Sequence, residues 1–177
     1  MRVDLDKVRE QPFRWDETAE ISTSDLDHKD LVELGPVHWE GRIDHVDPGF
    51  LLRADFEYEQ VLRCRRCLGP VEQEVEGEIE LLLTREPEEL AEDDVEIELE
   101  EEDLGVFHYR EEEIELEPFL EEELHLNIPM NPLCRPDCEG LCSQCGANLN
   151  EETCSCEEEP VDSRWEGLAA IKERLEE

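Results

Sequence analysis

The run FLLRADFEYEQVLRCRRCLGPVEQEVEGEIELLLT, Phe50 to Thr84, reads as two long strands joined by a cysteine turn. From Phe50 to Leu62, the residues Leu52, Ala54, Phe56 and Tyr58, extended by Gln60, fall on one face at the period of two that a half-buried strand requires. Cys64 to Cys67 and then Leu68-Gly69-Pro70 make a tight reversal. Val71 to Thr84 returns with Val71, Val75, Ile79 and Leu81 or Leu83 as its apolar positions. Upstream, Val37 to Val46 alternates in the same way and closes on the turn signal Asp47-Pro48-Gly49. Further extended pieces are expected near Phe13 to Ile21. The fold class expected is α+β: a twisted antiparallel β meander, a helix after an acidic loop, a cysteine-rich zinc module and a C-terminal helix.

Downstream, residues 86–105 are mostly acidic, and such a run repels itself and resists packing. It reads either as a solvated loop or as a grip for a basic partner. Ile114 to Leu126 is expected to be helical, with Ile114, Leu116, Phe119, Leu120, Leu124 and Leu126 as a stripe and Pro118 in the first turn. Asp162-Ser163-Arg164-Trp165 opens a last helix, burying Trp165, Leu168, Ala169, Ile171 and Leu175. These boundaries suggest a β-rich domain over 1–130 and a cysteine-rich module with its helix over 131–177.

The 177 residues include 53 acidic and 16 basic ones, for a formal charge of -37. That balance disfavours unaided binding to a nucleic-acid backbone and favours a basic partner. Adaptation to a salty cytoplasm would give the same composition. No apolar run approaches the roughly 20 residues needed to span a bilayer, and MRVDLDKVRE lacks an apolar export segment. A cytoplasmic protein is expected, with no membrane or DNA partner. In a reducing compartment cysteines read as metal ligands before they read as disulfides.

The eight cysteines form close pairs: Cys64-x2-Cys67, Cys134-x3-Cys138, Cys142-x2-Cys145 and Cys154-x-Cys156. A pair two residues apart lets one turn aim two sulfurs at one ion, and zinc wants four such ligands in a tetrahedron. Two partitions use all eight. The favoured one makes Cys142, Cys145, Cys154 and Cys156 a local site across the short GANLNEET loop, with Gly146 suited to a turn of positive φ. Cys64 and Cys67 then join Cys134 and Cys138, stapling the sheet to the region after the helix. The rival partition groups Cys134, Cys138, Cys142 and Cys145, leaving Cys64, Cys67, Cys154 and Cys156. One or two zinc ions are expected; an iron–sulfur cluster or a redox-active Cys64/Cys67 pair are the alternatives.

No phosphate loop, nucleophile elbow or HExxH pattern is present, so nothing in the sequence supports an enzyme. The five histidines lack ligand spacing, and Trp15, Trp39 and Trp165 read as core or interface anchors. Arg63, Arg65 and Arg66, in RCRRC, are the densest basic cluster. They either touch RNA phosphate or neutralise nearby glutamates and the excess negative charge of a four-thiolate site.

VLRCRRCLGPVEQEVEGEIELLLT (Val61 to Thr84), PLCRPDCEGLCSQCGANLNEETCSC (Pro132 to Cys156) and the closing VDSRWEGLAAIKERL together resemble the YceD family, large ribosomal RNA subunit accumulation proteins. The resemblance covers roughly residues 30 to 175. It implies a cytoplasmic bacterial or organellar protein without known catalysis, in ribosome biogenesis, supporting large-subunit (23S) rRNA synthesis, processing or accumulation. Its partner would be a ribosomal precursor or a basic ribosomal protein, with a possible rRNA contact. The family is often encoded beside a large-subunit ribosomal protein, and not all its members carry the second cysteine block. The rival readings are an acidic, zinc-stabilised interaction protein without a ribosomal role and a thiol oxidoreductase using Cys64 and Cys67.

Overall fold

A computed structural model describes residues 1–86 and 105–156. Its frame is the long hairpin of β5 (Phe50–Arg63) and β6 (Pro70–Arg85), paired antiparallel from Phe50↔Leu83 to Arg63↔Pro70. Every second residue of β5 from Phe50 to Leu62 is buried, Gln60 included. Leucine and aromatic side chains on one face of β5 against mostly charged ones on the other are what hold the register, because a one-residue slip would exchange the two faces.

β4 (Val37–His45) lies on the other side of β5, and β2 (Phe13–Ala19) pairs with β4, both antiparallel. The Asp47-Pro48-Gly49 turn joins β4 to β5, closed by the Val46 N–H on the Gly49 carbonyl. A β-carbon on Gly49 would run into the Leu83 carbonyl. β3 (Leu31–Leu34) extends the β4 side of β5 toward the knuckle, with a shift of register between Leu31 and Glu33.

Two expectations are corrected. The sheet is not a pure antiparallel meander: β7 (Val106–Tyr109) pairs parallel to the end of β6, Leu82↔Val106 to Arg85↔Tyr109. A parallel neighbour needs a connection of about a dozen residues or more, and the run 86–105 is long enough to supply it. The helix expected from Ile114 is shorter. Ile114 belongs to β8 (Glu113–Glu115), which pairs with β1 (Arg2–Asp4) in a separate two-stranded sheet. The helix α3 begins at Glu117 (Glu117–Leu126), with Pro118 in its first turn where the missing N–H costs nothing. Leu126 is 72% exposed and leaves the stripe.

The other helices are short: α1 (Leu5–Glu10), which packs on β4, and α2 (Thr23–Leu26), closed by a Ser22–Asp25 capping box. Leu5, Val8, Leu26, Leu116, Phe119, Leu120 and Leu124 cover the inner face of the sheet in one core with Trp39, Ile43, Leu52, Phe56 and Leu83. The described chain is thus mostly strand with a few helices. Cys64 and Cys138 belong to the same core, so the first cysteine group straddles residues 130 and 131. Most of the acidic run 86–105 and the helix expected from Asp162, Trp165 included, lie outside the described residues.

The outer face of the hairpin is a field of like charge. Asp55 stands opposite Glu78, Glu57 opposite Glu76 and Glu59 opposite Glu74, all exposed, and Glu40 on β4 stands opposite Asp55. Directly opposed like charges destabilise a sheet. At the margin Arg53 pairs with Glu80 at 2.7 Å. Among the described residues none of the carboxylates in the opposed pairs has an ion-pair partner.

Candidate metal centre

β5 ends by delivering Cys64 into a turn. The Leu68 N–H bonds the Cys64 carbonyl at 3.0 Å, the Cys64 N–H bonds the Gly69 carbonyl at 2.8 Å, and the Arg66 N–H points at the Cys64 sulfur at 3.5 Å. After α3 the chain returns to this turn. The Arg65 N–H takes the Pro132 carbonyl at 2.9 Å and the Arg66 guanidinium takes the Cys138 carbonyl at 2.8 Å. Cys134 and Cys138 are so placed against Cys64 and Cys67. Cys64 and Cys138 are buried, Cys67 half-buried and Cys134 exposed.

The second group is built on the same plan. Cys142-x2-Cys145 is closed by the Gly146 N–H on the Cys142 carbonyl at 2.9 Å, and the Cys142 N–H bonds Ala147 at 2.8 Å. Gly146 has φ 75, the left-handed conformation that glycine adopts freely. Leu68 takes the same place after Cys67 with φ 61, where an L side chain costs roughly 1–2 kcal/mol. Leu68 is 58% exposed and has little packing to lose. Leu68→Gly is therefore expected to stabilise the fold by about 1 kcal/mol, read as a higher midpoint in urea; an unchanged or lower midpoint would remove strain at Leu68 from the account.

All eight thiols are free, and they gather as Cys64, Cys67, Cys134, Cys138 and as Cys142, Cys145, Cys154, Cys156, each group with its sulfurs within 4.8 Å of one another. This is the grouping that puts a local site in the last block, not the rival. Cys64 and Cys138 sulfurs are 3.8 Å apart, and Cys67 and Cys134 sulfurs 3.6 Å. A disulfide needs about 2.05 Å. A tetrahedral ion with sulfur at about 2.3 Å separates its ligands by about 3.8 Å. The donor set and spacing therefore fit one thiophilic ion in each group.

The proton balance agrees. Burial works against a Cys64 thiolate, but N–H groups of Cys67, Cys134 and Arg66 outweigh it and bring the thiol down to about 6. Backbone N–H groups of Cys145 and Gln144 bring Cys142 down to about 6. Burial also opposes a Cys138 thiolate, and hydrogen bonds from Asn150 and Cys134 outweigh it. Cys134, bonded to the Cys138 sulfur, and Cys156, bonded to the Cys145 sulfur, are pushed up to about 12. Some thiols in each group ionise at the expense of their neighbours, and only a central cation lets all four carry charge.

The three arginines divide. Arg65 pairs with Asp30 at 2.8 Å, and Arg66 holds the Cys138 carbonyl. Among the described residues the exposed Arg63 side chain has no ion-pair partner. Two residues of the site escaped sequence reasoning. Asp30 is far from the knuckle in sequence and only β3 brings it there. Asn150 sits in the GANLNEET loop, where an amide could have been read as a donor to sulfur.

The described chain is an α+β protein with a strongly acidic sheet face and two all-cysteine groups that could each hold a metal ion. Residues 52–172 match the family model for the large ribosomal RNA subunit accumulation protein YceD, and the chain belongs to that family. An uncharacterized protein of Mycobacterium tuberculosis is 35% identical over 133 residues, 73% of this chain and 59% of the relative. The maize chloroplastic YCED homolog 1, named a large ribosomal RNA subunit accumulation protein, is 31% identical over 132 residues, 63% of this chain and 44% of the relative. The uncharacterized protein YlbN of Bacillus subtilis is 27% identical over 173 residues, 97% of this chain and 92% of the relative. The chain thus spans 59% of the length of the mycobacterial relative. No solved structure matches it. The family name points to a role in accumulation of large-subunit ribosomal RNA. No helix among the described residues is long and apolar enough to cross a membrane.

Proposed function

We propose that this chain is a non-catalytic, cytoplasmic assembly factor that supports synthesis, processing or accumulation of 23S rRNA by holding a basic ribosomal protein, free or on a precursor particle. The observation that carries the reading beyond the family name is the outer face of the hairpin. Opposed carboxylates at Asp55/Glu78, Glu57/Glu76 and Glu59/Glu74 cost stability in the isolated chain. Lysines or arginines laid across that face would relieve the repulsion and be shielded in return. Each cysteine group holds a zinc ion. Sulfurs within 4.8 Å of one another leave room for a single ion and not for a multi-iron cluster. The zinc sites are structural, keeping the chain after α3 against the sheet. Arg63, beside the first knuckle, is free to meet an RNA phosphate, whereas Arg65 and Arg66 brace the knuckle itself. A thiol-exchange role is disfavoured because Cys64 is fully buried.

The test is the ratio of large- to small-subunit rRNA in cells carrying the chain with Asp55→Asn, Glu57→Gln, Glu59→Gln, Glu74→Gln, Glu76→Gln and Glu78→Gln. The purified variant is expected to be at least as stable as the parent, since repulsion is removed. The cells are expected to show the same fall in large-subunit rRNA as cells lacking the protein, and the variant to leave precursor particles on sedimentation. A normal ratio with the variant, where deletion lowers it, would discard the acidic face. A normal ratio on deletion would discard the ribosomal role.

A further inference from the structure

We propose that the two cysteine groups are coupled sites: the loop closed by the second centre supplies, through Asn150, a hydrogen bond to a sulfur of the first, so that filling either centre tightens the other. The inference rests on the reading that both groups hold metal. Asn150 lies between Cys145 and Cys154, the two arms of the second group, yet its Nδ2 donates to the Cys138 sulfur of the first at 3.3 Å. Its Oδ1 accepts from the Glu139 N–H at 2.8 Å and from the Arg135 guanidinium at 2.7 Å, on either side of Cys138. The Asn148 Oδ1 accepts a second bond from Nδ2 at 2.8 Å and one from the Asn150 N–H at 3.2 Å. The amide is held from both sides and aimed at one sulfur.

A second strap joins the same two bodies. Leu141, the residue before Cys142, donates its N–H to the Arg66 carbonyl inside the first knuckle at 3.1 Å. Gly140, at φ 83, lies so close that a β-carbon would stand 3.1 Å from that carbonyl. The Leu149 N–H bonds the Gly140 carbonyl at 2.9 Å, which ties the loop carrying Asn150 to the same point.

The physical link is ordering. Apart from the Leu141↔Asn148 bridge, the Leu149–Gly140 bond, the Asn150 bonds and the turn bonds of the Glu151 and Glu152 N–H to the Asn148 carbonyl, the loop 146–153 has no helix or strand to hold it. An ion on Cys145 and Cys154 closes it. Without that ion, placing Asn150 on Cys138 costs the conformational entropy of the loop. A partner hydrogen-bonded to a ligating atom fixes its direction and charge, and losing one lowers metal affinity about 10- to 100-fold. Reciprocity then follows: whatever the second ion does for the first, the first does for the second.

The test uses the full chain loaded with cadmium, whose NMR signal distinguishes the two centres, in competition with a chelator. Asn150→Ala is expected to weaken the first centre about tenfold while the second stays filled, which also shows that the block is folded. Asn150→Asp, which keeps an acceptor for Glu139 but sets an oxygen against the sulfur, is expected to weaken it at least as much. Cys154→Ser with Cys156→Ser empties the second centre and is expected to weaken the first by a similar factor, with little further loss on adding Asn150→Ala. A first centre of parental affinity in the Asn150 variants and in the serine pair overturns the coupling. A parent chain that binds no cadmium overturns the metal reading itself, and the stoichiometry tells the two failures apart.

Discussion

Cys138→Ser is expected to release metal from the first centre and to melt residues 132–156 away from the sheet, while the β4–β6 hairpin frame survives. Cys138 is 1% exposed and joins the core, the Arg66 guanidinium, the Asn150 amide and the Cys64 sulfur. Structural zinc sites contribute roughly 10 kcal/mol or more of apparent folding free energy, and a serine hydroxyl in this place adds a buried polar group in place of a thiolate. Among the described residues the segment 132–156 forms no helix or strand beyond a single bridge, so apart from the second cysteine group and the hydrogen bonds that strap it to the first knuckle little else orders it. Chelation should act in the same way, and acidification as well. Without an ion the Cys64 and Cys142 thiols are brought down to about 6 by N–H groups aimed at their sulfurs, so both present thiolates at neutral pH. A bound ion competes with protons for these sulfurs, so its acid release is expected below that value. Limited proteolysis with metal quantification checks all three arms. Protease resistance at 132–156 that outlasts complete metal removal would show that packing alone holds the block.

Trp39→Ala is expected to destabilise the chain by about 4 kcal/mol, a large share of the 5–15 kcal/mol typical of a domain. Trp39 is 1% exposed on β4, stands opposite Phe56 on β5, and tilts against Trp15 with ring centres 5.0 Å apart. Truncation would leave a cavity between β2, β4 and β5 that strands paired on both sides cannot close. Among the described residues the Trp39 indole Nε1 has no hydrogen-bond partner, so Trp39→Phe forfeits none of the hydrogen bonds seen there and should cost much less than Trp39→Ala. Urea unfolding should show the alanine midpoint falling steeply and the phenylalanine midpoint only slightly. Equal losses in the two variants would move the cost from ring packing to the indole itself.

Some of this molecule was plain from local pattern. The alternation Leu52, Ala54, Phe56, Tyr58 placed β5 and its buried face, because a strand's period of two is visible without knowing its neighbours. Asp47-Pro48-Gly49 and the Cys64 to Pro70 reversal marked the ends of strands that do end there. Gly146 after Cys145 announced a left-handed residue, and it has one. Other features misled. Ile114 reads as part of the helix's apolar stripe although it lies five and six residues before Phe119 and Leu120, off the helical period. It belongs to β8 and pairs with Val3 of β1, since a short segment takes whichever long-range partner buries it best. Nothing in VFHY distinguishes a parallel edge strand from a loop.

What the sequence determined by itself was therefore the strands of the hairpin, the cysteine turns and the chemistry of their sulfurs, all of which depend on residues a few positions apart. What only the tertiary structure decided was which sulfurs share a site, which carboxylates oppose each other across β5 and β6, and that Asn150 serves Cys138. Those are meetings between residues up to 74 positions apart in the chain, as Cys64 and Cys138 are. They are settled by strand register and by the path of the chain after α3, and neither leaves a periodic trace in the residues that eventually touch.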